Sequence, residues 1–116
     1  MSATDCIFCA IVRGEVPATV VHRDGDVVAI RDLNPQAPTH VLVLPTEHVA
    51  SAAELTPAHD HIWARVLHVA QAIAEDEGLD GDGYRLVVNI GRNGGQTVEH
   101  LHVHLLGGRQ LTWPPG

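Results

Sequence analysis

Lysine is absent from these 116 residues. All seven basic side chains are arginine, set against fourteen acidic ones, for a formal net charge of −7. The arginines are scattered, so no basic patch exists to hold a nucleic-acid backbone or an anionic membrane surface. A phosphate-bearing ligand is still allowed, held by backbone N–H groups, histidines and polar side chains rather than by a basic field. No apolar run approaches transmembrane length, and there is no repeat, low-complexity segment or linker. Two cysteines three positions apart do not make a secreted disulfide scaffold. The start, Met1-Ser2-Ala3-Thr4-Asp5, lacks the charged and apolar regions of a signal peptide, so the expected location is the cytoplasm. The length suits a single domain over residues 1–116. A core is possible at this size, but only a modest fraction of the chain's surface can be buried, so a metal or a partner subunit would help.

What is present in excess is histidine, nine residues of 116. Histidine changes charge near neutrality and is a common metal ligand. Three of the nine fall in His100-Leu101-His102-Val103-His104. On a strand these three share one face, with Leu101, Val103 and Leu105 on the other. Neighbouring rings would then lie roughly 6–7 Å apart, right for several to surround one phosphoryl group or metal. A mere solvent face is the weaker reading, because such faces mix Thr, Lys, Glu and Ser. A catalytic zinc on three histidines and a nucleophilic imidazole attacking phosphorus both fit the spacing. The turn Gly94-Gly95-Gln96-Thr97 just before this run favours a phosphate, since glycines let backbone N–H groups approach an anion and the threonine hydroxyl adds a donor. Cys6-x-x-Cys9 is half of a structural zinc site by spacing. It lacks the strand-to-helix setting of a thioredoxin-like redox pair.

The remaining pattern predicts an α+β fold. A short helix over 6–13 ends at Gly14, and strands over 19–22 and 27–31 form a hairpin about Asp24-Gly25. The strand 40–44, apolar on both faces, is expected to be central, with Pro45 ending it. Thr56 and Pro57 are a helix start. Ile62, Val66, Val69 and Ile73 then recur at helical spacing, and Gly78 ends this one long helix. Two more strands are expected, over 84–90 and 98–106. Short hairpin-like links imply an antiparallel sheet of about five strands with the long helix on one face. His59, His61 and His68 fall on that helix and are expected to be solvated. His22 has no evident partner, and Trp63 is expected to pack.

The segment His100-Leu101-His102-Val103-His104-Leu105-Leu106 resembles the signature of the histidine-triad (HIT) superfamily. Asp32-Leu33-Asn34-Pro35-Gln36-Ala37-Pro38-Thr39-His40, Val87-Val88-Asn89 and Gly94-Gly95-Gln96-Thr97-Val98 match it too. The ending, Gly107-Gly108-Arg109-Gln110 through Trp113-Pro114-Pro115-Gly116, is similar to the Hint branch, the purine nucleoside phosphoramidases. The resemblance implies a HIT-like sheet. It also implies cleavage of the P–N bond of purine nucleoside 5′-phosphoramidates through a nucleotidyl-histidine. Dinucleoside polyphosphate hydrolysis, or a non-catalytic purine-nucleotide-binding zinc module, are the alternatives. By the same resemblance His102 is the nucleophile, His104 binds phosphate and assists proton transfer, and His40 faces them from a neighbouring strand. Asp32 would hold the ribose hydroxyls and Leu33 would border ribose and base. Asn89, Gly95, Gln96 and Thr97 would line the phosphate. Trp113 would lie near substrate, since Hint tails reach the partner's site in a homodimer. Members with this CxxC carry zinc on two cysteines and two histidines, here Cys6, Cys9, His48 and His100. Zinc would then be structural and not required for catalysis. Three departures stand out: Thr97 for a common serine, no lysine before His48, and Glu99 where an apolar or aromatic residue is frequent.

Overall fold

The computed structural model describes residues 5–116; most of the segment read for a signal peptide, residues 1–4, lies outside them. The elements run α1 (Ile7–Val12), β1 (Val20–Arg23), β2 (Val27–Arg31), β3 (Thr39–Pro45), α2 (Asp60–Asp76), β4 (Tyr84–Val87) and β5 (Val103–Gly107). The five strands form one antiparallel sheet in the order β1-β2-β3-β5-β4. The α+β fold expected from the pattern is the fold observed. No helix among the described residues is long and apolar enough to cross a membrane.

Both faces of the sheet are covered, and the alternation of side chains decides what goes where. Val27 and Ala29 of β2, Val41 and Val43 of β3, and Val103 and Leu105 of β5 pack on Val66, Val69, Ala70, Ile73 and Ala74 of α2. Val28, Ile30, Leu42 and Leu44 point the other way, against Cys6, Phe8, Cys9 and Ile11 in and before α1. β3 is buried along its whole length, as a central strand apolar on both faces must be. Truncating a residue such as Leu44, fully buried, costs about 2–5 kcal/mol.

α2 begins through a 3-10 turn, Pro57–His59, rather than directly at Pro57. His59 is not simply solvated there: its Nδ1 accepts the Thr56 N–H at 3.0 Å, and its Nε2 lies 3.4 Å from Glu47. This is the reciprocal bond of a capping box, made by histidine in place of glutamate. His61 is exposed but reaches Asp26 at 3.2 Å. His22, expected to be unpartnered, lies 2.6 Å from Asp24. Asp24 also accepts from Arg65 and from the Asp26 and Val27 amides, and together these bonds hold its carboxyl well below the usual range. At the other end Gly78, at φ +73°, closes α2 as expected.

The last two strands are shorter than the pattern implied. β5 starts at Val103, not 98, and β4 stops at Val87, not 90. The β3–β5 register pairs Val43 with Val103, so Pro45 falls opposite Leu101. Proline has no N–H to give the ladder, and pairing ends there. Leu101 instead donates to Val49 O at 2.7 Å. His100 and His102 therefore stand on an irregular segment before the strand, and only His104 is in it.

Candidate active site and metal centre

The face of the sheet under α1 carries every histidine of the triad. His104 pairs across from Leu42, and His40 across from Leu106, so both share that face. His100 is fully buried, His102 and His40 nearly so. The rings of His102 and His104 are 5.0 Å apart at 60°, closer than the roughly 6–7 Å spacing expected along a strand.

Cys6 caps α1, its Sγ accepting the Cys9 N–H at 3.3 Å. This sets both sulfurs at one end of the helix, beneath the sheet. His100 Nδ1 lies 3.3 Å from Cys6 Sγ and 3.5 Å from Cys9 Sγ, and His48 Nδ1 lies 3.2 Å from Cys9 Sγ. The four ligand atoms lie within 4.8 Å of one another. Tetrahedral zinc bonded at about 2.3 Å to sulfur and 2.0–2.1 Å to nitrogen needs S···N separations of roughly 3.5 Å, so the donor set fits that ion. The second nitrogen of His100 adds to the fit. Its Nε2–H donates to Pro45 O at 2.9 Å, which aims the Nδ1 lone pair at the sulfurs. Burial and the neighbouring Cys6 push the Cys9 thiol up to about 11, and burial pushes His100 down to about 4. A metal binding here would displace thiol protons into solvent.

Two residues on, His102 Nδ1 donates to the backbone oxygen of His100 at 2.7 Å. The proton of the neutral ring is thereby on Nδ1, and Nε2 keeps its lone pair. Burial lowers the pKa of His102, so this lone pair is available at neutral pH. Phe8 meets the ring edge-on, with centroids 5.1 Å apart, and holds its plane. Burial first, then the neighbouring His102 and His40, bring His104 down to about 4.

His40 joins this group from β3. Its Nε2 is 2.9 Å from His104 Nδ1 and 3.5 Å from Asp32 Oδ2, while its Nδ1 accepts the Gln36 N–H at 3.0 Å. Asp32 also accepts the Asn34 N–H at 2.8 Å, which shapes the loop that presents Leu33, 98% exposed, to solvent.

The glycine turn precedes the triad segment in the chain and is tied to the loop after β3 through Ala50. A Cβ on Gly94 would come within 2.3 Å of Ile90 O, and Gly95 takes φ +82°, so glycine is required at both. The Gly95 and Gln96 amides bond back to Arg92 O and Gly91 O. The Gln96 side chain braces the turn, accepting from Gly91 N and donating to Ala50 O and Val98 O. Thr97 keeps its N–H and hydroxyl without a partner among the described residues. A concavity of about 340 Å³ is lined by Gly91, Arg92, Gly95, Gln96, Thr97 and Glu99. A larger one, about 640 Å³, lies by Tyr84, Arg85 and Arg109, away from the triad.

The structure thus gathers Cys6, Cys9, His48 and His100 in one cluster and Asp32, His40, His102 and His104 in the next. Asn89 follows β4, half-buried, while Trp113 is 83% exposed on a tail fastened by Arg85 to Thr112 O at 2.8 Å. Sequence reasoning missed Phe8, whose apolar signal said only core. It also missed the Gln36 amide and the Pro45 carbonyl, which are backbone groups with no residue-type signal.

A family model, the HIT domain, matches residues 13–111. The 14 kDa zinc-binding protein of Zea mays is 50% identical, with 95% of this chain and 87% of that protein covered. The purine nucleoside phosphoramidase of Escherichia coli K12 is 46% identical over 94% and 92%. The crystal structure of a HIT family hydrolase from Legionella pneumophila Philadelphia 1 superposes with a TM-score of 0.95 at 50% identity, covering 97% of this chain and all of that one. By the extent of the match and its agreement with the triad geometry, this chain belongs to the HIT domain family.

Proposed function

We propose that this single-domain protein hydrolyses the P–N bond of purine nucleoside 5′-phosphoramidates. The observation that carries the reading is the bond from His102 Nδ1 to the His100 carbonyl, which leaves Nε2 as an unprotonated nucleophile beside His104. His102 Nε2 attacks the α-phosphorus. The electron pair of the P–N bond leaves with the nitrogen, which takes up one proton with His104 assisting. Water then attacks phosphorus, the bond to His102 breaks, its electron pair returns to the ring, and water's proton is released with the monophosphate. Thr97 donors hold the charged oxygens and the turn at Gly95 and Gln96, its own amides bonded internally, sets where Thr97 stands, the positioning and electrostatics that phosphoryl transfer depends on. Asp32 accepts from the ribose hydroxyls, Leu33 covers the nucleoside, and Asn89 borders the phosphate.

Zinc on Cys6, Cys9, His48 and His100 is a structural staple in this reading. When bound it supplies a crosslink between α1, the end of β3 and the triad segment. A homodimer is supported by β4, an edge strand carrying the exposed Leu86. Trp113 on the exposed tail is then free to reach the nucleotide of the other protomer. That one relative is a purine nucleoside phosphoramidase and another a zinc-binding protein supports both halves of the reading.

The test is release of AMP from adenosine 5′-phosphoramidate with and without a strong chelator. Chelator-resistant turnover is expected. Turnover that stops with chelator while the fold survives by circular dichroism would make zinc catalytic. No turnover in either condition would refute the substrate assignment.

A further inference from the structure

The geometry points to the Gln36 backbone amide and the Arg109 side chain as positioning groups that fix on which nitrogen His104 carries its proton. This deepens the reading above and rests on it for the placement of His104 beside the phosphoryl group.

The contacts begin in the loop before β3. The Gln36 N–H donates to His40 Nδ1 at 3.0 Å. A ring nitrogen that accepts a hydrogen bond presents its lone pair, so the proton of the neutral His40 ring sits on Nε2. That Nε2 lies 2.9 Å from His104 Nδ1, with Asp32 Oδ2 farther off at 3.5 Å. His104 Nδ1 therefore accepts, and the proton of the neutral His104 ring is on Nε2, the nitrogen not engaged by His40. His102 is held in the opposite sense, because its Nδ1 meets a carbonyl. Two rings 5.0 Å apart thus present different groups to one substrate: a lone pair from His102, an N–H from His104. A backbone oxygen sets one and a backbone N–H, passed through His40, sets the other.

Arg109 holds that backbone N–H in place. Its Nε donates to Gln36 O at 3.0 Å and its guanidinium also to Gln110 O at 3.1 Å, so it clasps the peptide on the far side of Gln36. The approach depends on Gly108, at φ +90°, where a Cβ would come within 2.9 Å of Pro38 Cβ. Arg109 touches neither substrate nor triad; it acts through residue 36.

The test uses the full chain labelled with nitrogen-15 histidine, read by two-bond proton–nitrogen correlation at neutral pH. The expected result is Nε2-protonated His40 and His104 beside Nδ1-protonated His102. His104 protonated on Nδ1 would overturn the proposal. Gln36→Pro removes the N–H and should convert His40 and His104 to tautomer mixtures. Its kcat on adenosine 5′-phosphoramidate should fall on the order of 10- to 100-fold, with KM changed less. That is short of the roughly 10⁴-fold loss when a catalytic histidine is held in the wrong tautomer. Gln36→Ala, which keeps the N–H, should keep the tautomers. Arg109→Ala should move the same resonances in the same direction by less, with Arg109→Lys restoring part of the shift, and it carries the test if Gln36→Pro does not fold. Unchanged tautomers in the folded variants would refute the assignment. A wild type with the expected tautomers and no turnover would uphold it and sink the phosphoramidate reading instead.

Discussion

Two clusters of histidine and its partners lie side by side on one face of the sheet, joined at His100. Cys6, Cys9, His48 and His100 form one; Asp32, His40 and His104, beside His102, form the other. By distance alone each qualifies as a metal site, since the ligand atoms of each lie within 4.8 Å of one another. The second ring nitrogen separates them. In His100 it donates to the Pro45 carbonyl, the arrangement that readies an imidazole for a metal. In His40 it accepts the Gln36 N–H, so a metal on the other nitrogen would have to displace the only ring proton and leave an anion. The first cluster suits a cation and the second suits protons. Counting donors does not discriminate between such sites; the direction of each hydrogen bond does.

The largest effect is expected where the second cluster is broken. His102→Ala should lower turnover on the order of 10⁴-fold or more, as removal of a nucleophile does, while zinc content per folded molecule changes little. Loss of zinc from this variant would mean the clusters are not separable. The converse change, Cys9→Ser, should cost more than about 4 kcal/mol, as loss of a metal site can, with a smaller loss of activity per folded molecule. Elemental analysis should find one zinc per chain in the wild type and none in the variant. Two in the wild type, one of them surviving Cys9→Ser, would show that the second cluster also takes metal.

Much of this contrast was legible in the chain. The alternation of β2 and β3, the spacing of Ile62, Val66, Val69 and Ile73, and Gly78 specify the sheet and α2, because burial on a fixed period leaves its mark residue by residue. Cys6, Cys9, His48 and His100 lie together, as do Asp32, His40 and His104, whereas Leu33 and Trp113 stand exposed. The strand expected over 98–106 was too long, because the break comes from Pro45 on another strand and shows only once the register is known. His22 was expected to lack a partner and His59 to be solvated, yet each finds a bond two or three residues away, in a turn or cap that residue type alone does not announce. The split between metal and proton chemistry was not readable from composition or spacing, since it lies in the backbone groups of Pro45, His100 and Gln36.

The smallest effect sharpens the protonic character of the second cluster. Burial, with His102 and His40 nearby, lowers His104 from 6.5 to about 4 in the folded chain. Between those two values the unfolded chain binds more protons at this site than the folded one, so stability rises with pH across the window. The contribution is complete above about pH 6.5 and is lost as pH falls toward 4. The ring is partly exposed, so solvent screening reduces the effect to the order of 1 kcal/mol. In His104→Gln the slope of stability against pH over this window should be shallower than in the wild type. Urea midpoints at half-unit steps from pH 4 to 7 measure it, on zinc-loaded protein at the higher values so that the first cluster does not add its own protons. Parallel curves for the two proteins would mean that His104 takes its proton as readily folded as unfolded, and that the second cluster does not hold it neutral.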